Sequence, residues 1–199
     1  MKTISVAPIV SQQNNLAFYP EFLETSTADY FYKVLLDQLA WSEETINMFG
    51  KTILVPRLVC WYGDANAIYN YSGVKHDPLP WISPLLELKA RLETFTHHSF
   101  NSVLGNLYRN EKDSMGWHSD NEKELGDEPF IASVSLGEAR IFRARHKTTK
   151  QQIKLTLTHG SLLTMSGNFQ QLWQHSIPKC STKKGGRINL TFRNIVNIN

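Results

Sequence analysis

Acidic residues are missing from the last third of this chain. All 18 aspartates and glutamates lie at or before Glu138, and residues 139–199 hold 11 lysines and arginines with no acid among them. The first 138 residues therefore carry a net charge of −8 and the last 61 carry +11. An imbalance of that size is the usual footprint of a polyanionic partner or an anionic ligand. Cysteine is nearly absent too. Cys60 and Cys180 form no spaced framework, which argues against a disulfide scaffold and fits structural thiols in a reducing cytosol. No stretch approaches the roughly 18 uninterrupted apolar residues of a membrane span. The apolar run in the N-terminal MKTISVAPIVSQQNN is too short for a signal peptide, so export is not expected. The expected location is cytoplasmic, or nuclear for a eukaryotic source. Glycine and proline, 11 and 8 in number, are spread thinly and no repeat occurs, which excludes collagenous and repeat-built chains. With 41% hydrophobic and 20% charged residues, the chain is globular rather than disordered and long enough to close a full core.

Two amphipathic helices are visible. Ser26 or Thr27 can cap a segment whose apolar positions Tyr30, Phe31, Val34, Leu35 and Leu39 share a face. Ser83 followed by Pro84 is a second helix start, and Leu85, Leu88, Leu92 and Phe95 continue its stripe. Between them, residues 52–72 alternate or run apolar and aromatic around Gly63-Asp64-Ala65-Asn66, which predicts a β-ribbon. The proline-bearing segment 73–84 reads as a boundary. After His98 the pattern predicts eight short strands near 101–109, 115–119, 130–136, 140–145, 152–158, 161–165, 172–177 and 187–195. Short strands at that spacing point to an antiparallel sandwich or jelly roll rather than a βαβ fold. The expected class is mainly β (α+β). Residues 1–98 form N-terminal helices and a β-ribbon lid, and residues 99–199 a double-stranded β-helix core, packed as one compact unit.

The last strand carries the most information. In Arg187-Ile188-Asn189-Leu190-Thr191-Phe192-Arg193 the two-residue period places Arg187, Asn189, Thr191 and Arg193 on one face and the apolar residues on the other. A polar strand face ordinarily meets water, but a hydrated face normally mixes charge signs. This one offers only guanidinium, amide and hydroxyl groups, a set suited to a carboxylate or phosphate. His118-Ser119-Asp120 places an imidazole and a carboxylate two residues apart at a strand end; alone, such a tripeptide is as common in surface loops. His175 lies 55 residues beyond Asp120 and 12 before Arg187. Two histidines and one carboxylate with open positions make the facial triad of non-haem Fe(II) oxygenases, and an arginine one strand further on can hold the far carboxylate of 2-oxoglutarate.

On these residues the chain resembles the AlkB-type Fe(II)/2-oxoglutarate-dependent dioxygenases. The likeness runs through Phe100 to Tyr108, Gly116 to Asp120, Ile131 to Gly137, His159 to Leu163 and Arg187 to Arg193, in order and spacing. Phe49-Gly50-Lys51, Val55-Pro56-Arg57, Tyr62-Gly63-Asp64, Tyr69 to Gly73 and Pro80-Trp81-Ile82 are similar to the nucleotide-recognition region of the DNA-repair branch, most of all its duplex-acting members. The resemblance covers roughly residues 45–195, and RxNLTFR is its most specific motif.

The resemblance implies roles. His118, Asp120 and His175 bind Fe(II), and Asn106, Tyr108, Arg187, Asn189, Thr191 and Arg193 hold 2-oxoglutarate. With O2, the products are succinate, CO2 and an oxidised N-methyl group, of 1-methyladenine or 3-methylcytosine for example, that leaves as formaldehyde. A flipped base in the pocket keeps out water and stray substrates. Tyr71 is placed to stack on the base, with Tyr69, Asn70 and Ser72 beside it. Met48 and Phe49, followed by Gly50 and Lys51, resemble an apolar finger that fills the gap left by a flipped base. Glu122 matches an acid that can face the exocyclic nitrogen, and Asn121 stands where some duplex-specific members have an acid. For these aromatics the plain alternative is a packed ribbon. The acid-free run including Arg140, Arg145 and Lys147 is either a solvated face or a phosphate clamp. The expected partner is DNA carrying alkylated bases, or RNA, bound by a monomer without a membrane. Rival readings are the same chemistry on RNA or a methylated side chain, a silent nucleic-acid-binding module, and a cupin-like metalloprotein.

Overall fold

The computed structural model describes residues 15–48, 51–67, 69–71 and 74–196, and the side chains of all these except 46–48, 51, 69–71 and 74–76. Strand β1 (Leu16–Tyr19) leads into helix α1 (Thr25–Gln38), then β2 (Ser42–Met48), β3 (Lys51–Gly63), β4 (Tyr69–Tyr71), β5 (Val74–His76) and helix α2 (Ser83–Thr96). The eight strands that follow are β6 (Ser102–Tyr108), β7 (Met115–His118), β8 (Ile131–Gly137), β9 (Arg140–His146), β10 (Gln152–Leu157), β11 (Ser161–Met165), β12 (Trp173–Ile177) and β13 (Arg187–Arg193), with a one-turn helix α3 (Phe169–Leu172) before β12. No helix among the described residues is long and apolar enough to cross a membrane.

The strands pair as a seven-stranded sheet in the order β1-β11-β8-β13-β6-β3-β2 and a four-stranded sheet in the order β10-β9-β12-β7, with β4 and β5 pairing apart from both. Every pairing within the two large sheets is antiparallel. The two faces of the larger sheet have different tasks. One packs Val103, Ala132, Val134, Leu136, Leu162, Ile188, Leu190 and Phe192 against the buried stripes of α1 and α2. The other turns toward the smaller sheet, where Leu16, Phe18, Leu163 and Met165 meet Phe142, Ala144, Leu157 and Trp173. Strand β13, at the centre of the larger sheet, is buried along its whole length.

The helices form where the apolar spacing predicts, with different starts. α1 begins at Thr25 behind Glu24, and neither Ser26 nor Thr27 caps it; both lie inside the first turn. Its buried face is Ala28, Phe31 and Leu35, while Tyr30 is exposed. α2 includes Ser83, with Ile82 at the cap position, Pro84 in the first turn and Leu85, Leu88 and Leu92 fully buried. Burying one such leucine contributes about 1.5–3 kcal/mol. Gly137 closes the tight passage from β8 to β9 at φ +86°, and a Cβ there would collide with Tyr32 and the Gly186 carbonyl.

The ribbon expected over 52–72 is not what forms. β3 is a single long strand whose first half pairs with β2 and whose second half, from Leu58 to Gly63, pairs with β6 in the larger sheet. The turn at Asp64–Asn66 leads away from β3, and Tyr69–Tyr71 pairs with β5 instead. The apolar alternation of 55–62 therefore records an interior sheet position, and the N-terminal region contributes β1, β2 and β3 to the same sheet as the C-terminal core.

Candidate active site

Register across three central strands of the larger sheet builds one wall of the site. Tyr108 of β6 stands opposite Arg187 of β13, Asn106 opposite Asn189, and Leu104 opposite Thr191. On the other side of β13, Asn189 faces Ser135 and Thr191 faces Ser133 of β8. The alternation that sends Ile188, Leu190 and Phe192 to the helices thus sends Arg187, Asn189, Thr191 and Arg193 between the sheets. Their exposures are 0, 9, 6 and 4%, so this polar face does not meet bulk water.

The smaller sheet supplies the opposite wall. His118, the last residue of β7, is paired directly with His175 of β12. The two rings lie 4.1 Å apart by their centroids, and the ligand atoms of His118, Asp120 and His175 all lie within 4.8 Å of one another. These three residues line the same cavity as Asn106, Tyr108, Arg187, Asn189, Thr191 and Arg193. Every residue expected to hold iron or 2-oxoglutarate is thus brought to one place.

The protonation states suit a divalent metal. The Nδ1 atom of His118 lies 2.9 Å from the Gly116 carbonyl oxygen; donation there leaves Nε2 with a lone pair, 3.5 Å from Asp120 Oδ1. Burial lowers the pKa of His118, with the Asp120 charge opposing. Burial, reinforced by His118, pulls His175 down to about 3, so its imidazole is neutral, and its buried Nδ1 has no hydrogen-bond partner. Burial alone would raise the Asp120 carboxyl, but Arg193, His118 and His175 overrule it and hold it well below the usual carboxylate range. Arg193 Nη2 donates to Asp120 Oδ2 at 2.7 Å. Two neutral imidazoles and one ionised carboxylate, with a buried nitrogen unsatisfied, form a donor set that fits Fe(II).

Arg187 is the second unusual group. It is fully buried, Nη2 donates to Ser135 Oγ at 2.9 Å, and Nε and Nη1 have no acceptor. Burial lowers its pKa to about 10, which leaves it cationic at neutral pH. A buried guanidinium with two nitrogens still lacking an acceptor matches an anionic carboxylate. Asn189 donates to Ser133 Oγ at 2.7 Å, and Arg57 Nε donates to Asn106 Oδ1 at 2.6 Å.

Four residues around the site, Ser133, Ser135, Arg57 and Gln170, receive no role from the sequence, though the first three left signals. Ser133 and Ser135 alternate with Ala132, Val134 and Leu136, as polar residues on one face of a buried strand. Arg57 sits between Val55 and Val59 on the buried face of β3 and is 3% exposed. Gln170 left no such signal.

The expected nucleic-acid contacts scatter. Arg140 is corrected outright: it is 1% exposed and donates to the carbonyls of Asn110, Asp113 and Pro178, so it cannot reach a phosphate. Lys147 directs Nζ to the Gln170 carbonyl at 2.9 Å, and Arg145 lies over the exposed Trp117 ring at 4.3 Å while donating to Gln174. Asn121 and Glu122 line a neighbouring open recess rather than the cavity of the triad. Phe49, Gly50 and Ser72 lie outside the described residues, as do the side chains of Met48, Lys51, Tyr69, Asn70 and Tyr71.

A double sheet that brings two imidazoles and a carboxylate together on one wall and a buried arginine-bearing strand on the other defines an iron oxygenase with a 2-oxo acid co-substrate. Comparison with known families agrees, and the chain belongs to the 2OG-Fe(II) oxygenase superfamily, whose profile matches residues 15–193. It is 41% identical over 202 residues to the human alpha-ketoglutarate-dependent dioxygenase alkB homolog 3, covering 96% of this chain and 69% of that one. It is 39% identical over 159 residues to the human DNA oxidative demethylase ALKBH2, covering 76% of this chain and 61% of that relative. Among solved structures, that of OsALKBH1 superposes with a TM-score of 0.66 at 17% identity, covering 94% of this chain and all of the other, a likeness of fold alone.

Proposed function

We propose that this chain oxidatively demethylates N-alkylated bases, such as 1-methyladenine and 3-methylcytosine, in DNA. The chemistry rests on one observation: the triad and the polar faces of β6 and β13 line a single buried cavity. The choice of substrate rests on the likeness to relatives named DNA oxidative demethylase.

Fe(II), with 2-oxoglutarate and O2, supplies the oxidation that converts an N-methyl group to formaldehyde while 2-oxoglutarate leaves as succinate and CO2. The protein's part is binding and orientation. Ser135 fixes one arm of Arg187, so the guanidinium is oriented for the distal carboxylate before it arrives. Asn106, itself held by Arg57, and Tyr108 line the same wall. Arg193 keeps Asp120 ionised and fixes which oxygen is free for the metal. Because the site is buried, a flipped base that fills its mouth excludes water from the reacting methyl group. The β2–β3 hairpin exposes Ile53 and Leu54, apolar surface suited to replacing lost base stacking. Arg143 and Lys154, opposite each other in β9 and β10 and both exposed, are the basic pair best placed for the phosphate backbone.

Purified protein with Fe(II), 2-oxoglutarate and ascorbate is incubated with methylated single-stranded DNA, duplex DNA and RNA, and restored base and succinate are measured. Restored base in DNA at the fastest rate supports the proposal. Preference for RNA would move the substrate to the rival nucleic acid, and succinate without restored base would refute demethylation.

A further inference from the structure

The segment carrying His118 and Asp120 is sewn to the segment carrying His175 at three points. His118 and His175 are register partners in β7 and β12. Ser119 Oγ donates to the Trp173 carbonyl at 2.8 Å. The third stitch is the backbone N–H of Asp120, which donates to Gln170 Oε1 at 3.0 Å, fully buried and across 50 residues of sequence.

We infer that Gln170 is a positioning residue for the metal-binding carboxylate. It is 1% exposed on the one-turn helix α3, and its two side-chain groups have separate partners. Oε1 takes the Asp120 N–H, and Nε2 is turned to Met165 Sδ at 3.4 Å. The carboxamide therefore has one orientation, with oxygen toward Asp120. Its backbone is braced as well, because Lys147 Nζ donates to the Gln170 carbonyl and the Lys147 N–H to that of Leu172. Asp120 has just left β7 and has no ladder partner of its own, so this bond holds the ligand segment where the strand no longer does. With the main chain fixed by Gln170 and Oδ2 fixed by Arg193, the direction of Oδ1 is determined from both ends. The Lys147 ammonium, expected on a phosphate, serves this brace.

The inference rests on the triad holding a metal and is indifferent to the substrate oxidised. Its test is Co(II) titration of the full chain, followed by the visible absorption of the bound ion, with no turnover required. Gln170→Leu removes the acceptor at nearly unchanged volume and leaves the Asp120 N–H unsatisfied. Its Co(II) dissociation constant is expected to rise 10- to 100-fold, with an altered absorption spectrum. Gln170→Glu restores an acceptor oxygen in the same place and is expected to recover most of the affinity and the wild-type spectrum. A merely structural role would shift the melting temperature of both variants and leave the spectrum of bound Co(II) alone. If Gln170→Leu does not fold, Met165→Leu frees the carboxamide to turn and is expected to weaken Co(II) in the same direction. Wild-type affinity and spectrum in the folded Gln170→Leu protein, or in Met165→Leu where that stands in, would overturn the inference. Failure of wild-type protein to bind Co(II) would remove its premise, whereas failure to demethylate would touch only the proposed function.

Discussion

Replacing Arg187 by methionine should stabilise the metal-free, co-substrate-free protein while abolishing its use of 2-oxoglutarate. The guanidinium is fully buried, donates to Ser135, lies over the Tyr108 ring at 5.1 Å and leaves Nε and Nη1 without acceptors. Each buried unsatisfied polar group costs about 1–3 kcal/mol. Exchanging a buried charge for an apolar side chain of similar volume is commonly neutral or stabilising by about 1–4 kcal/mol. Against this stands the Ser135 bond, worth about 1.5–3 kcal/mol because its donor is charged. The midpoint of the relief at the two unsatisfied nitrogens less that of the Ser135 bond gives a net gain of about 1–2 kcal/mol, or about 2–8 °C in melting temperature at this chain length. The same substitution removes the charge-assisted contact to the co-substrate carboxylate. A loss of about 3–4 kcal/mol there corresponds to an affinity for 2-oxoglutarate about 100- to 1000-fold weaker. Thermal unfolding of the metal-free protein and calorimetric titration of 2-oxoglutarate into Mn(II)-loaded protein read the two effects separately. A variant that melts several degrees lower, or binds 2-oxoglutarate within threefold of the parent, would refute the assignment of Arg187 as a preformed carboxylate receptor.

Arg140→Met should behave in the opposite way, losing about 3–5 kcal/mol in chemical unfolding because three backbone carbonyls lose their donor. The salt dependence of its DNA binding should be unchanged, and a reduced slope would restore Arg140 to the phosphate contacts. The exposed pair Arg143 and Lys154 should each lower the slope of log binding constant against log salt by about 0.9 on duplex DNA when changed to alanine; an unchanged slope would place the backbone elsewhere. Leu88→Ala, in the fully buried stripe of α2, should cost about 2–5 kcal/mol, and a loss below 1 kcal/mol would mean that the helix is less tightly packed than its burial indicates. Asp113 accepts from the Arg109 side chain at 2.8 and 3.1 Å and from its backbone N–H at 2.9 Å. Burial would raise its pKa, but Arg109 and then Arg140 hold it below the ordinary value. A depressed carboxyl stabilises above its unfolded pKa and loses that contribution as pH falls through the folded one. The stability gap between wild type and Asp113→Asn, about 1 kcal/mol at pH 7 because Arg109 is partly exposed, should therefore close on acidification below about pH 4. A gap that persists at pH 2 would deny the pairing.

Much of the core was legible because its signals are local. Eight strands after His98 announced themselves by short apolar runs between turns, and the alternation of Arg187 to Arg193 assigned both faces of a buried strand. What was hidden depends on partners distant in sequence. β2 has the polar sequence Ser42 to Met48 and becomes a strand through β3, whose own second half takes β6, some 40 residues further on, rather than the nearby Tyr69–Tyr71. Arg140 looks like any other cation of a basic run until three carbonyls from two other segments close around it. Gln170 carries no charge and belongs to no motif; only the chain path that brings α3 against Asp120 gives it a partner. The basic tail divides accordingly. Arg187 and Arg193 face the site, Arg140 and Lys147 brace the structure, Arg145 lies over Trp117, Lys184 pairs with Glu138, and the exposed Arg143, Lys150, Lys154, Lys179 and Lys183 remain for an external polyanion.

The central claim is that one buried cavity couples co-substrate oxidation to removal of a methyl group from a base. Its most direct measurement is the ratio of restored base to succinate on a methylated DNA strand, for wild type and for His175→Ala. The expected result is one restored base and one formaldehyde for each succinate in the wild type, and none of the three above background in the variant. Succinate formed without restored base, or base restored by His175→Ala, would contradict the account.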